Sequence, residues 1–385
     1  MNQSFKITAK TLGGFEETLA DEIKRIGGSN ISIGTRSVFY SGSKEVLYKS
    51  NLHLRTAIRV LVPFKDFTAK NEKEFYKNIY DVKWENFITH KNTIALDSAV
   101  NSNIFRHSKF VAQLAKDAIV DRIRNLEGKR PSVDLDNPDL RINIHIKENH
   151  CTLSLDSSGD SLHKRGYRIE KVEAPLSEVL AAGLVLLTGW NGETKFIDPM
   201  CGSGTVPIEA CLIARNIPPN YYRENFGFQK WKDYDAKLWH QIKNEAKENF
   251  KDLSIKIIGT DISLEAVEIA RRNVERAKLD ENIIIKKESI TEAELKTGPG
   301  IVVTNPPYGE RLKKENIEEF YKKLGDSFKQ NFKNFDVWIF SYNKNALKHF
   351  GLRTSKRLTL FNGPLECKYH KYSIYEGSKK QFREE

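Results

Sequence analysis

Lys195-Phe196-Ile197-Asp198-Pro199-Met200-Cys201-Gly202-Ser203-Gly204-Thr205 is a short apolar run that stops at an acid and enters a turn with two glycines. Behind it, Val206-Pro207-Ile208-Glu209-Ala210-Cys211-Leu212-Ile213-Ala214 repeats its apolar residues at helical spacing, so the stretch predicts strand, glycine turn and helix. Gly202 and Gly204 permit a tight turn with close backbone approach to a ligand, and the start of the helix favours an electronegative group. The third glycine of a dinucleotide-binding G-x-G-x-x-G turn is missing, because Gly204 is followed by Thr205-Val206-Pro207. An acid at the strand end sits badly beside a diphosphate. It suits the cationic amino-acid end of S-adenosylmethionine, directly or through water. Asp198, Pro199, Cys201, Gly202, Ser203, Gly204 and Thr205 are therefore the expected cofactor turn.

Downstream, Ile255-Lys256-Ile257-Ile258-Gly259-Thr260 reads as a second strand ending in Asp261, with a helix from Ser263 onward. An acid there can accept both ribose hydroxyls, with Ile262 beside it in the cofactor site; the alternative is that Asp261 caps the helix. A third strand, Asn282 to Lys287, leads into Glu288-Ser289-Ile290, where the adenine edge is expected. Ser289 or Glu288 would bind the adenine amine, or the segment is a solvated loop.

About a hundred residues after the glycine turn comes Val302-Val303-Thr304-Asn305-Pro306-Pro307-Tyr308-Gly309. This is an apolar strand stopped by two prolines that fix an extended turn. The Asn305 side-chain carbonyl can accept a hydrogen bond from an exocyclic amine, the Pro306 carbonyl can accept a second, and Tyr308 offers a stacking face. The bland reading is an ordinary strand-ending turn. Paired with the glycine turn, the segment predicts transfer of a methyl group to an amine, with Asn305, Pro306 and Tyr308 as its catalytic residues and Asn305 also near the cofactor.

These motifs, with the linker His163-Lys164-Arg165-Gly166-Tyr167-Arg168, Ala174-Pro175-Leu176, Gly309-Glu310-Arg311 and Asn362-Gly363-Pro364-Leu365-Glu366-Cys367, resemble those of the THUMP-domain class I RNA methyltransferases. Within them, the chain is most similar to the large-subunit rRNA guanine-N(2)-methyltransferases of the RlmL type. The resemblance runs over essentially the whole chain. It implies a Rossmann-like, doubly wound α/β methyltransferase domain over residues 161–385, behind a ferredoxin-like segment (1–50) and a THUMP RNA-binding domain (51–160). It implies S-adenosylmethionine as cofactor and guanine N(2) of 23S rRNA as target. Two departures stand out: Glu288-Ser289 occupies a position where many relatives carry Asp, and the second methyltransferase half that some RlmL-like proteins carry is not in this sequence. The same motifs also suit a tRNA guanine-N(2)-methyltransferase, an adenine 6-amino methyltransferase, or a non-catalytic ribosome-assembly factor.

Composition agrees with a polyanionic partner. The 385 residues carry 62 basic against 51 acidic side chains, a net charge of +11. No apolar run approaches the roughly 18 residues of a membrane span, and the polar start Phe5 to Lys10 does not read as a signal peptide, so a cytoplasmic protein is expected. Cys151, Cys201, Cys211 and Cys367 lack ligand-like spacing; they read as reduced thiols, with no metal site expected.

In the first 160 residues, strands at 5–11, 31–41, from 55, 93–100, 140–146 and 151–155 alternate with helices at 14–26, 46–52, around 74–76 and 109–125. Arg106, His107, Lys109, Lys116, Arg122, Arg124, Lys129 and Arg130 crowd the long helix. Arg106, Lys109 and Lys116 are expected to dock RNA through phosphates. Arg165, Tyr167, Arg168 and Arg311 are expected to extend that contact, although Tyr167 also suits packing between domains. Between Arg215 and Leu253, an aromatic-rich insertion suggests either a lid over the substrate entrance or local core.

Overall fold

Residues 4–168, 176–292, 296–307 and 314–375 are described by the computed structural model. Each half of the chain builds one sheet. The first contains β1 (Phe5–Thr11), β2 (Ser29–Gly34), β3 (Ser37–Gly42), β4 (Ala57–Thr68), β5 (Thr93–Asn101), β6 (Ser132–Val133), β7 (Leu140–Lys147) and β8 (His150–Asp156), in the order β2-β3-β1-β4-β8-β7-β5-β6. The long strand β4 pairs antiparallel with both β1 and β8, joining the ferredoxin-like and THUMP parts in one continuous sheet. Helices α1 (Glu16–Arg25), α2 (Lys44–His53), α3 (Glu72–Tyr80) and α4 (Ser108–Glu127) cover it. The expected single strand region 31–41 is a hairpin, turned at Thr35-Arg36 with Arg36 at φ 50°.

The second half holds α5 (Glu178–Thr188), β9 (Lys195–Asp198), α6 (Thr205–Ala214), α7 (Ala236–Glu248), β10 (Ile257–Asp261), α8 (Leu264–Arg276), β11 (Ile283–Lys287), β12 (Lys296–Thr304), α9 (Lys314–Asn331), β13 (Phe332–Ser341), β14 (Lys356–Asn362) and β15 (Leu365–Ser373). Its sheet runs β11-β10-β9-β12-β13-β15-β14, parallel from β11 to β13, with β15 and β14 antiparallel at the far edge. Chain order reverses between β9 and β12, the place where open α/β sheets gather ligands at their carboxyl ends. Ser177, Asp235 and Ser263 cap α5, α7 and α8 by accepting backbone N–H groups.

The halves are locked together by burial. Phe15, in the β1–α1 loop, is fully buried in the second half's core, where a Cβ on Gly183 would stand 2.3 Å from its ring. Arg55, at the start of β4, donates from Nη2 to the carbonyls of Leu212 (3.1 Å) and Ile217 (2.7 Å), at the partially negative end of α6. The aromatic insertion is not a lid. Phe228 stacks on Tyr48 of α2 at 4.3 Å, and Trp239 meets the same ring edge-on at 6.0 Å, so the insertion is a strap buried against the front module.

Candidate active site

The parallel register brings the carboxyl ends of β9, β10 and β12 to one edge: Gly259 lies opposite Asp198, and Val302 opposite Ile197. Asp198 is 2% exposed and accepts the Met200 N–H at 3.2 Å. Burial pushes its carboxyl up to about 7, with the Asp261 charge adding to the effect and the Met200 N–H and Thr304 hydroxyl opposing it. A carboxyl in this state is poised to ionise when a cation arrives.

The turn that follows takes the geometry its glycines allow. Gly202 and Gly204 have φ of 52° and 82°, and a Cβ on Gly204 would stand 3.2 Å from that of Ala270 on α8. The Cys201 N–H donates to the Thr260 carbonyl (2.9 Å), and Asn273 Nδ2 donates to the Ser203 carbonyl (3.0 Å). Cys201, Ser203 and Thr205 are buried; Pro199 joins the strand to the turn. Pro207 costs α6 nothing, because the first turn has no partner for its missing N–H.

Asp261 is more than a strand end. One carboxylate oxygen accepts the Gly202 N–H and the other the Ser263 N–H, both at 2.9 Å, while the cap of α8 is Ser263 itself. Each oxygen keeps a lone pair for a further donor. Beside it, Ile262 is 71% exposed, an apolar face at this sheet edge. The Glu288 N–H donates to the Asp261 carbonyl (3.1 Å), which sets Ser289 next to this edge, its Oγ 2.8 Å from that of Thr291.

At the end of β12, Asn305 is half-buried, and its buried Oδ1 has no hydrogen-bond partner among the described residues. Buried carbonyl oxygens are normally paired, so this one is an acceptor held in reserve. Pro306 is buried and Pro307 exposed. Tyr308 and Arg311 lie outside the described residues.

The linker reading needs correction. Arg165 has no exposed side-chain surface: Nη2 donates to the Arg55 carbonyl (2.6 Å), and Nε lies 3.6 Å from Glu209. The Tyr167 hydroxyl donates to Glu209 at 3.0 Å. Arg168 donates to Thr205 Oγ1 (2.7 Å) and the Leu176 carbonyl (2.8 Å) and pairs with Glu178 at 3.3 Å. Arg165 thus ties α6 to the front module, while Tyr167 and Arg168 brace the same helix from within the second half; Arg165 and Tyr167 are buried and Arg168 keeps only 10% of its side chain exposed. On α4 and just before it, Arg106 and Lys109 are exposed, whereas Lys116 pairs with Asp117 (2.8 Å) and Arg122 with Glu85 (2.6 Å). The part of Arg55 was not legible, since its partners lie more than 150 residues away.

Family models match nearly the whole chain: an RlmL ferredoxin-like domain over residues 6–61, a THUMP domain over 69–156 and an RMKL-like methyltransferase domain over 165–371. The chain belongs to the RMKL-like methyltransferase family. It is 38% identical over 364 residues to a Synechocystis sp. protein whose name assigns it provisionally to the RNA methyltransferases, covering 94% of this chain and 95% of that one. A ribosomal RNA large subunit methyltransferase K/L of Syntrophotalea carbinolica is 37% identical over 389 residues, 98% of this chain but 54% of its own. The chain thus spans about half the length of such K/L relatives. Among solved structures, SMU.472, named as a methyltransferase and crystallised with S-adenosylhomocysteine, superposes with a TM-score of 0.87 at 28% identity, covering 98% of this chain and all of that one. Membership of the RMKL-like methyltransferase family agrees with the expected class I architecture.

Proposed function

We propose that this chain transfers a methyl group from S-adenosylmethionine to the exocyclic 2-amino group of a guanine in 23S rRNA, as a cytoplasmic enzyme. The observation that carries the reading is the Asn305 Oδ1, unpartnered among the described residues, at the same sheet edge as the buried Asp198 carboxyl and the Gly202–Gly204 turn. The names of the K/L relatives and the THUMP match support RNA as the substrate.

The residues present fit the cofactor. Asp198, ionised, would hold the cationic amino end; the spare lone pairs of Asp261 would accept the ribose hydroxyls; Ile262 would pack on the adenine, with Ser289 at its edge. The bound sulfonium supplies a methyl group that is already strongly electrophilic. What remains for the protein is alignment. Asn305 Oδ1 and the Pro306 carbonyl accept the two amine hydrogens, which keeps the nitrogen lone pair directed at the methyl group. Tyr308 would stack on the extruded base. The amine loses its proton only after the nitrogen–carbon bond forms, so no strong base is required.

The test is methylation of 23S rRNA, 16S rRNA and tRNA with isotopically labelled cofactor, followed by nucleoside mass spectrometry. N(2)-methylguanosine in 23S rRNA is the expected product. Label in tRNA alone, or in N(6)-methyladenosine, overturns the substrate assignment.

A further inference from the structure

The ferredoxin-like part of the front sheet has one covered face and one open face. Ile7, Ala9, Val38, Tyr40 and Val60 turn into the core shared with α1 and α2. Side chains alternate along a strand, so Lys6, Thr8 and Lys10 of β1 and Ser37, Phe39 and Ser41 of β3 stand on the opposite face. The register sets Phe39 across from Thr8, between the two lysines, and its ring is 46% exposed. Lys6 is exposed and Lys10 half-buried, while Arg36 is exposed at the turn between β2 and β3. None of these three cations makes an ion pair or a side-chain hydrogen bond among the described residues. Burial lowers the pKa of the Lys10 ammonium, a shift that an anion set beside it would reverse.

What this face takes follows from where it leads. The Thr11 N–H donates to the Arg36 carbonyl (3.0 Å), which puts that turn at the end of β1 beyond Lys10. There the Arg36 guanidinium lies over the ring of Phe361 on β14, 5.7 Å from its centroid, and a Cβ on Gly13 would stand 3.1 Å from the same ring. Across the catalytic sheet one row runs through Thr304, Ile339, His370 and Arg357, and β14 is parallel to β12. Phe361 follows Arg357 on β14, so it stands about 13 Å beyond that row, on the side where Asn305 follows Thr304, and about 14 Å across the sheet from it. A strand leaving Asn305 in this direction meets Phe361 with Arg36, then Lys10, Phe39 and Lys6. Unpaired cations select a polyanion, an exposed ring among them selects its bases, and continuity with the catalytic edge selects the polymer that carries the target amine. A free phosphate would answer one cation and leave the ring unused.

We propose that the open face of the ferredoxin-like sheet binds single-stranded RNA flanking the methylated nucleotide, with Phe39 stacking on a base and Arg36, Lys10 and Lys6 on its phosphates. The inference rests on RNA being the substrate. Because Arg36 and Phe361 belong to different halves of the chain, an RNA crossing them is registered against both sheets.

The experiment uses the full chain and fluorescein-labelled single-stranded fragments of 23S rRNA, with affinity read by anisotropy across a salt series. Phe39→Leu, which keeps an apolar side chain but removes the ring, should weaken binding by roughly 5- to 150-fold, the range for loss of one base stack, with a melting temperature near wild type. Lys10→Gln and Arg36→Gln should each reduce the slope of log K against log salt by about 0.7, one phosphate contact on a single strand; they decide the matter if Phe39→Leu does not fold. Lys24→Gln, at an exposed lysine of α1 on the covered side, should leave affinity and slope as in wild type. Photoreactive 4-thiouridine in the same fragments should crosslink to Phe39 or Phe361 from a nucleotide other than the methylated one. Unchanged affinity in folded Phe39→Leu, unchanged slopes in the two charge variants, an equal loss of slope in Lys24→Gln, or crosslinks confined to residues 106–130 overturn the open face while leaving the methyltransferase reading intact. RNA that is bound in the expected way but never methylated overturns that reading and leaves the face standing.

Discussion

Cofactor affinity should follow the ionisation of Asp198. Burial holds this carboxyl at about 7, so near neutrality part of the population is protonated and cannot pair with a cation. If only the ionised form binds, the apparent Kd scales as one plus the ratio of protonated to ionised carboxyl. Affinity should then be about 11-fold weaker at pH 6 than its alkaline limit, about twofold weaker at pH 7 and near that limit at pH 8. Binding at pH 6 should release about 0.9 proton, measurable by titration calorimetry in two buffers of different ionisation enthalpy. Asp198→Asn should flatten this profile and weaken binding at pH 8 by about 10- to 150-fold, the span of a charged hydrogen bond. Stability runs the other way. The folded carboxyl keeps a proton that the unfolded chain, with an ordinary value of 3.8, gives up, so its contribution is full below about pH 4 and lost as pH rises through about 7. Asp198→Asn should therefore melt higher than wild type at pH 8 while binding less cofactor. Affinity that stays level from pH 6 to 8 with no proton release would refute the reasoning.

Asn305→Ala should lower single-turnover methylation by about a hundredfold, with melting temperature nearly unchanged because its Oδ1 has no partner among the described residues to lose. Normal turnover by that variant would leave Asn305 as an ordinary strand end. Arg165→Met should destabilise the fold by about 3–5 kcal/mol in urea titrations, since Glu209 would remain buried without its guanidinium, while the salt dependence of RNA binding stays as in wild type. Arg106→Ala with Lys109→Ala should weaken RNA binding and reduce the slope of log K against log salt by about 0.7–0.9 per lost phosphate contact; an unchanged slope places the docking face elsewhere.

The strand–turn–helix at 195–214 was legible because its signals are local: apolar run, acid, glycines and helical period lie within twenty residues of one another. The same holds for the prolines after Asn305. The linker misled for the opposite reason. Alternating arginine and tyrosine resembles a nucleic-acid contact, but the Arg55 carbonyl that receives Arg165 is 110 residues distant, and no pattern in sequence announces that meeting. The strap was likewise ambiguous until Tyr48 supplied its partner ring. The edge hairpin β14–β15 was marked only by Asn362-Gly363-Pro364, whose Gly363 takes φ 60° at the turn. Asp261 is not the cap of α8, which is Ser263; its carboxylate instead ties the glycine turn to the start of that helix, a contact that no local pattern announced.

The burial of Phe226, Phe228 and Trp239 against α2 has a consequence for how such chains can be cut and recombined. A catalytic fragment beginning after residue 160 would carry an aromatic face made for a neighbour it no longer has, and would tend to aggregate before its chemistry could be assayed. Exchanging front modules between relatives should succeed only when residues 215–253 travel with residues 1–160. Although separated along the chain, these two stretches form a single heritable unit, and substitutions on one side of that contact should be matched by substitutions on the other.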